Sequence, residues 1–157
     1  MDSPSIPSVP SVDNPLKKTV LVRHKTPHFL KPHEAEKIRQ SVGRREFFEE
    51  DIWPVTEEVL RVADVQLGHP AYCEVQRLSR GHGWHVDTGN YDHMAWCRWS
   101  AQILLSPPED FEGGGFYFRD SEEPVDEHCA LLVYSSDQEH MIKVHRGDRR
   151  VLVMFFK

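Results

Sequence analysis

The sequence has few cysteines, no long apolar run and no excess of positive charge, and each shortage argues against a class of protein. Its 157 residues include three cysteines, Cys73, Cys97 and Cys129, which lack the paired spacing of a structural zinc site. An odd number of scattered cysteines favours reduced thiols and therefore a cytoplasmic protein. No apolar stretch approaches the length of a membrane span, so we expect no membrane partner.

The balance of charge makes a nucleic-acid partner less favoured. Twenty-five acidic and 19 basic residues give a formal net charge of −6, which provides no general attraction to a phosphate backbone. The first residues also lack the basic start and apolar stretch of a secretory signal. The sequence does not predict an oligomeric state.

The composition changes along the chain and divides it into a tail and one domain. Residues 1–17 are rich in serine and proline, with prolines at intervals of three, which is typical of an extended or disordered tail. Residues 18–157 have the length of a single domain. Within this domain we predict helical support over about 32–67 and a β-rich core over about 72–157.

Local patterns place two helices before the β-rich part. Pro32 in a first turn and Gly43 as a stop predict a helix over 32–42. Thr56 fits the N-cap of a second helix that ends before Gly68. The predicted strands, separated by glycine and proline turns, are 19–23, 72–78, 84–87, 98–105, 115–118, 130–134, 140–146 and 149–155. The predicted fold class is mainly β with N-terminal helices (α+β), of sandwich or barrel type.

Three residues of this β-rich part form a candidate metal centre. His85 and Asp87 are two positions apart, so in a strand they project from the same face and can bind one ion. His140 supplies a third ligand from a later strand. Two imidazoles and one carboxylate leave half of an octahedral shell open, which is the facial arrangement of non-haem Fe(II) oxygenases. The alternative is an exposed strand pair without a metal.

A buried arginine is predicted next to this centre. The segment 139–156 is typical of two strands joined by a turn at 147–148, with Arg146 opposite Arg149. In that register His140 and Arg149 share an otherwise apolar face. An isolated guanidinium there needs an anionic partner, so Arg149 is a candidate clamp for the carboxylate of a diacid cosubstrate. The alternative is a surface ion pair within the charged turn.

The order and spacing of five residues resemble a known family. The pattern His-x-Asp, a distal His, and Gly-x-Arg beginning seven residues later is similar to the prolyl-4-hydroxylase-like branch of the Fe(II)/2-oxoglutarate-dependent dioxygenases. In this sequence the five residues are His85, Asp87, His140, Gly147 and Arg149. The resemblance covers about residues 72–157 and includes the stretch from Arg98-Trp-Ser100 to Leu105-Ser-Pro-Pro-Glu-Asp-Phe-Glu-Gly-Gly-Gly115.

The resemblance implies a double-stranded β-helix, which is a jelly-roll or cupin-like core. It implies that His85, Asp87 and His140 bind Fe(II), that 2-oxoglutarate chelates this iron, and that Arg149 holds the C5 carboxylate of 2-oxoglutarate. Dioxygen is the second cosubstrate, and ascorbate is a candidate reductant. The expected reaction hydroxylates an unactivated C–H bond and releases succinate and CO2. Related halogenases replace the carboxylate ligand by a small residue, so Asp87 favours hydroxylation.

The sequence departs from the family at two positions near the predicted cosubstrate. Leu78 and Leu104 stand where many relatives carry tyrosines, some of which contact 2-oxoglutarate. Other side chains must then supply those hydrogen bonds. Ser100 and Gln102 are the candidates for this role.

An aromatic stretch around the first two ligands gives candidate substrate contacts. Trp84, Tyr91 and Trp96 have side chains that can line a substrate mouth, although packing on the sheet would use the same residues. Arg98 stands where relatives keep an arginine and either meets substrate or braces the loop. The partner we expect is a peptide substrate, oxidised at a residue such as proline, or a small amino-acid-like metabolite.

Two other functions have less support from the sequence. The missing tyrosines are compatible with a catalytically silent metal-binding module that has a sensing or structural role. Nucleic-acid demethylation by the same iron chemistry needs a base-binding lid and backbone contacts, which the acidic chain does not obviously provide.

Overall fold

The computed structural model describes residues 23–88 and 94–157 of the chain. The predicted tail (1–17), most of the predicted first strand (19–23) and Tyr91 lie outside these residues.

As predicted, the two helices precede most of the strands, but a short strand that was not predicted lies between them. The described elements are β1 (Arg23–Thr26), α1 (Pro32–Arg39), β2 (Gly43–Arg45), α2 (Trp53–Val62), β3 (Pro70–Leu78), β4 (His82–His85), β5 (Trp99–Leu104), a 3₁₀ turn (Pro108–Asp110), β6 (Phe111–Glu112), β7 (Gly115–Phe118), β8 (Leu131–Ser135), β9 (His140–Lys143), β10 (Arg146–Gly147) and β11 (Arg149–Phe156).

Antiparallel sheets contain most of the residues that lie in regular secondary structure. Among the described residues, one sheet has six strands in the order β1-β8-β5-β11-β3-β2, and a second has three in the order β4-β9-β7. The short strands β6 and β10 pair with each other. Every ladder between these strands is antiparallel. The predicted mainly-β class with N-terminal helices is therefore confirmed.

Alternation along the strands separates two apolar regions. Leu131 and Val133 of β8 pack in a cluster that includes residues of both helices, such as Ile38 and Val59. Leu132 and Tyr134, which alternate with these residues along the strand, belong to a second cluster. Because successive strand residues point to opposite faces, the helices cover one face of the six-stranded sheet and leave the other for the site described below.

Both helices differ from their predicted bounds. The helix α1 ends at Arg39 instead of at residue 42, because the chain leaves the helix early and pairs Gly43 with Val75 in the sheet. The N-cap prediction for Thr56 is wrong. Thr56 lies inside α2, and its hydroxyl donates to the carbonyl of Ile52 instead of to an amide of the next turn. None of the described helices is long and apolar enough to cross a bilayer.

The predicted hairpin between residues 140 and 156 is also wrong. The strand β9 pairs with β4 and β7, whereas β11 pairs with β3 and β5, so the two belong to different sheets. Between them, Arg146 lies opposite Glu112 and not opposite Arg149. A two-residue turn signal therefore marks a crossing from one sheet to the other.

The three cysteines are buried and free, which gives a first testable prediction. Burial raises the pKa of the Cys73 thiol to about 12 and also raises the pKa of Cys97 and of Cys129. We expect none of them to be alkylated by iodoacetamide at pH 8 in the folded protein, because the reactive thiolate is scarce and inaccessible. Mass spectrometry would detect three alkylations after denaturation. Rapid alkylation of the native protein would contradict the buried placement. The cytoplasmic location stays a prediction.

Candidate metal centre

The three predicted ligands come together at the ends of β4 and β9. His140 lies directly opposite His85 in this antiparallel pair, and their ring centroids are 4.2 Å apart. Asp87 follows β4 by two residues, and its Oδ1 lies 3.7 Å from Nε2 of His85 and 3.5 Å from Nε2 of His140. One ligand atom from each residue falls within 4.8 Å of the others. The strand pairing therefore forms the triad.

Backbone carbonyls orient the imidazoles of His85 and His140 so that their Nε2 atoms face Oδ1 of Asp87. Nδ1 of His85 lies 2.8 Å from the carbonyl oxygen of Gly83, and Nδ1 of His140 lies 3.0 Å from that of Gln138. A carbonyl only accepts, so each Nδ1 carries the hydrogen and each Nε2 keeps a free lone pair. A second partner of this kind is what metal-binding histidines ordinarily have.

Two hydroxyls orient the carboxylate of Asp87 in the same way. Ser100 Oγ and Tyr134 Oη donate to Oδ2 of Asp87 at 2.7 and 2.9 Å. Since Oδ2 is occupied by these donors, Oδ1 is the oxygen that faces the imidazoles. The backbone amides of Asp87 and Thr88 both donate to the carbonyl of Ser136 at 3.0 Å, which fixes the loop that carries the ligand.

Burial sets the protonation of the centre. His140 is 3% exposed, and burial lowers its pKa, so the neutral imidazole that binds a metal is the favoured form. Burial, followed by the nearby Asp87, raises the pKa of Tyr134 well above its usual value, which keeps its hydroxyl a donor. The ring of Phe116 stacks on that of His140 with centroids 4.7 Å apart.

These donors fit a divalent transition metal with an open shell. Among the described residues, the group consists of two imidazole nitrogens and one carboxylate oxygen, with no fourth protein ligand. A structural zinc site would be closed by four protein ligands, whereas three such ligands on one side suit Fe(II) that must also bind small molecules. Each of the three donors also has its outer hydrogen bond in place.

The hydrogen bonds to Asp87 give a second prediction. We expect Tyr134→Phe to weaken metal binding by about 10- to 100-fold, because outer partners of metal ligands typically contribute that much. Titration against a chromogenic chelator would measure the affinity. Tyr117→Phe is the control and should leave the affinity unchanged, because Tyr117 lies in β7, which pairs with β9, and is outside the triad. Equal metal affinity in both variants would rule out an orienting role for Tyr134.

The triad opens into two cavities. One, of about 250 Å³, continues from the triad to Arg149, and its other lining residues include Glu74, Gln102, Tyr134 and Val153. The second, of about 340 Å³, overlaps the first, since the two share six lining residues that include His85, Asp87 and Phe155, and it adds the apolar and aromatic side chains of Tyr72, Met94 and Trp96. The centre therefore has space beside it for other molecules.

Arg149, which lines the first cavity, already has a protein partner. It begins β11 opposite Leu78 and is 1% exposed. Its Nε and Nη2 donate to Oδ2 and Oδ1 of Asp126 at 2.7 and 2.9 Å, and the Asp126 side chain is 6% exposed. Arg149 therefore forms an ion pair, but not the surface pair within the charged turn that was the alternative, because this pair is buried and joins residues 23 positions apart. The cosubstrate role of Arg149 stays a prediction.

The two candidates for replacing the missing tyrosines have different neighbours. The hydroxyl of Ser100 serves Asp87, as described above, and so acts on the metal ligand. Nε2 of Gln102 lies 3.5 Å from Oδ1 of Asp126. The Gln102 side chain also lines the first cavity. Their contacts with a cosubstrate stay predictions.

The candidate substrate residues are spread more widely than the sequence suggested. Trp96 lines the second cavity beside His85 and Asp87. Trp84 is 38% exposed, with the guanidinium of Arg119 over its ring at 4.6 Å. Arg98 is exposed and lines a separate surface depression. Of these three, Trp96 is the one placed beside the triad. Tyr91 lies outside the described residues.

Sequence reasoning missed Tyr134 and Asp126. The alternation of apolar residues in β8 places Tyr134 on the same face as Leu132, so this period could have identified it. Asp126 lies in the irregular segment between β7 and β8, where no local pattern assigns a role.

Comparisons with known proteins support the fold. No family model matches the sequence, and the curated proteins contain no match to it either. Among solved structures, a prolyl-4-hydroxylase from Pseudomonas putida is 17% identical, with a TM-score of 0.64 over 86% of this chain and 85% of that one. The viral collagen prolyl hydroxylase of Paramecium Bursaria Chlorella virus-1, solved as a 2OG complex, is 13% identical, with a TM-score of 0.64 over 85% and 93%. A 2OG-Fe(II) oxygenase family oxidoreductase from Burkholderia pseudomallei is 15% identical, with a TM-score of 0.56 over 86% and 84%. The chain shares the fold of these proteins.

Proposed function

We propose that this chain is an oxidoreductase, an Fe(II)- and 2-oxoglutarate-dependent dioxygenase that hydroxylates an unactivated C–H bond. The observation that carries this proposal is the triad itself. Two free Nε2 atoms and one free carboxylate oxygen converge beside a cavity, in a chain with the fold of 2OG-Fe(II) oxygenases. The facing sheets around that cavity also support the double-stranded β-helix predicted from the sequence.

Different residues of the site would bind the iron and orient one of its ligands. His85, His140 and Asp87 would hold the iron, which together with 2-oxoglutarate and dioxygen supplies the oxidising chemistry and releases succinate and CO2. Ser100 and Tyr134 keep one oxygen of Asp87 turned to the metal. Ascorbate is the candidate reductant.

The second cavity is the proposed substrate mouth. Its aromatic and apolar lining suits a peptidyl side chain such as proline or a small amino-acid-like metabolite. Two of the solved structures with this fold are named as prolyl hydroxylases, which supports the peptidyl alternative. The partner we propose is accordingly a peptide or a small molecule.

One observation favours a second candidate, a catalytically silent metal-binding module. The buried pair of Arg149 with Asp126 occupies part of the guanidinium that the family resemblance assigns to 2-oxoglutarate. A site that cannot bind this cosubstrate would keep the metal without turning over.

Turnover of 2-oxoglutarate in the absence of substrate separates the two candidates. We expect the Fe(II)-loaded protein to release succinate slowly, and His85→Ala to release none above background, because this variant lacks one metal ligand. Succinate would be quantified by mass spectrometry, and peptides and amino acids would then be screened for stimulation. A protein that binds Fe(II) but never forms succinate would be the silent module.

A further inference from the structure

Asp126 pairs with the arginine to which the family resemblance assigns the cosubstrate carboxylate. Both carboxylate oxygens of Asp126 accept hydrogen bonds from one edge of the Arg149 guanidinium, the edge formed by Nε and Nη2. Such a two-bond, buried pair is the strong form of an arginine–carboxylate contact. The positive charge that a distal carboxylate of a cosubstrate would meet is therefore already neutralised within the protein.

The fold holds Asp126 in this position from both sides. On one side the amide of Val125 donates to the carbonyl of Phe116, and on the other the amide of Cys129 donates to the carbonyl of Leu104, each at 2.9 Å. Gly115 provides the space, because a Cβ at this position would overlap the Asp126 carboxylate. Asp126 does not itself line the cavity of the triad, but it is fixed behind Arg149 and is not a loose side chain that another carboxylate can easily displace.

The charges around the cavity lead to the same conclusion. With a divalent metal bound, the metal and Arg149 supply three positive charges. Asp87 supplies one negative charge at the cavity, and Asp126, which pairs with Arg149 from outside the cavity lining, supplies a second. The other two charged residues at the wall, Glu74 and Arg77, have opposite signs. One carboxylate balances the remaining charge, whereas two leave a negative excess in a buried site, which is unfavourable.

We propose that this site takes 2-oxo acids as a class and that Asp126 determines its specificity by removing the advantage of a second carboxylate. The inference rests on the proposed function, since it assumes that a 2-oxo acid chelates the metal. Its main binding contacts are then at the metal end. A monocarboxylate such as 2-oxopentanoate should serve nearly as well as 2-oxoglutarate.

The test compares these two acids, which have the same chain length, on the unaltered protein. Calorimetric titration of the Mn(II)-loaded protein measures both affinities without oxygen or turnover. We expect the two dissociation constants to agree within about tenfold, whereas an unpaired buried guanidinium would favour 2-oxoglutarate by about a hundredfold or more. A preference for 2-oxoglutarate above tenfold overturns the inference and leaves the proposed function intact. Binding of neither acid overturns both.

Asp126→Asn provides an independent arm, because it keeps the shape of the side chain and removes its charge. We expect 2-oxoglutarate to bind at least about tenfold tighter to this variant, with 2-oxopentanoate changed by less than about threefold. Unchanged or weaker 2-oxoglutarate binding in a folded variant overturns the inference. Circular dichroism checks the fold, and the comparison on the unaltered protein decides the question if the variant does not fold.

Discussion

His140→Ala should lose nearly all affinity for Fe(II). The variant removes one of three ligand atoms, and the neighbouring His85 and Asp87 cannot move far, because both are tied to the backbone or to hydroxyls. We expect the affinity for Fe(II) to fall by more than the factor of about 10 to 100 that results from changing an outer partner of a metal ligand. Equilibrium dialysis under anaerobic conditions would measure it.

His145→Ala is the matched control for this experiment. His145 lies five residues further along the same segment, is exposed and is not part of the ligand group. Its replacement should leave Fe(II) binding unchanged. If both variants kept full affinity for the metal, the triad would not be the binding site.

Arg149→Ala should destabilise the protein by about 3–5 kcal/mol of unfolding free energy, because removing one partner of a buried pair leaves the other charge uncompensated. Here that charge is on Asp126, whose side chain is 6% exposed. Urea denaturation followed by circular dichroism would measure the change. Any loss of cosubstrate binding in this variant must therefore be separated from loss of the fold.

Two further variants test whether the loss of stability in Arg149→Ala comes from leaving a buried charge unpaired. Arg77→Ala also removes an arginine from an aspartate pair, but Arg77 is 54% exposed, so the loss should stay below about 1 kcal/mol. Combining Arg149→Met with Asp126→Leu should recover much of the stability, since no charge is then buried alone. A loss in Arg149→Ala no larger than that in Arg77→Ala would mean that the buried pair contributes little.

The candidate metal ligands were predictable because residue types and spacing alone indicate their chemistry. His85 and Asp87 are two residues apart, and His140 follows in the order that the resemblance requires. The structure then brings the three together by pairing β4 with β9. The mainly-β class was predictable for a similar reason, since short runs between glycine and proline turns are local signals.

The partners of strands were harder to predict than their positions. The segment on either side of Gly147 has the pattern of a hairpin, but its strands enter two different sheets, and competition among distant strands decides the pairing. Thr56 failed as an N-cap because Pro54 and the preceding turn start α2 earlier. No signal in the sequence indicated the pair of Asp126 with Arg149, because the two residues are 23 positions apart and Asp126 lies in a loop without periodicity.

The most direct test of the proposed metal centre is an anaerobic titration of the metal-free protein with Fe(II) and 2-oxoglutarate, followed by visible absorption. Chelation of Fe(II) by a 2-oxo acid produces a metal-to-ligand charge-transfer band, and His140→Ala serves as the control. We predict that the band appears and saturates at one Fe(II) per chain in the unaltered protein and is absent from His140→Ala. Absence of the band from a folded, unaltered protein would contradict the assignment of the triad as an iron and 2-oxo acid site.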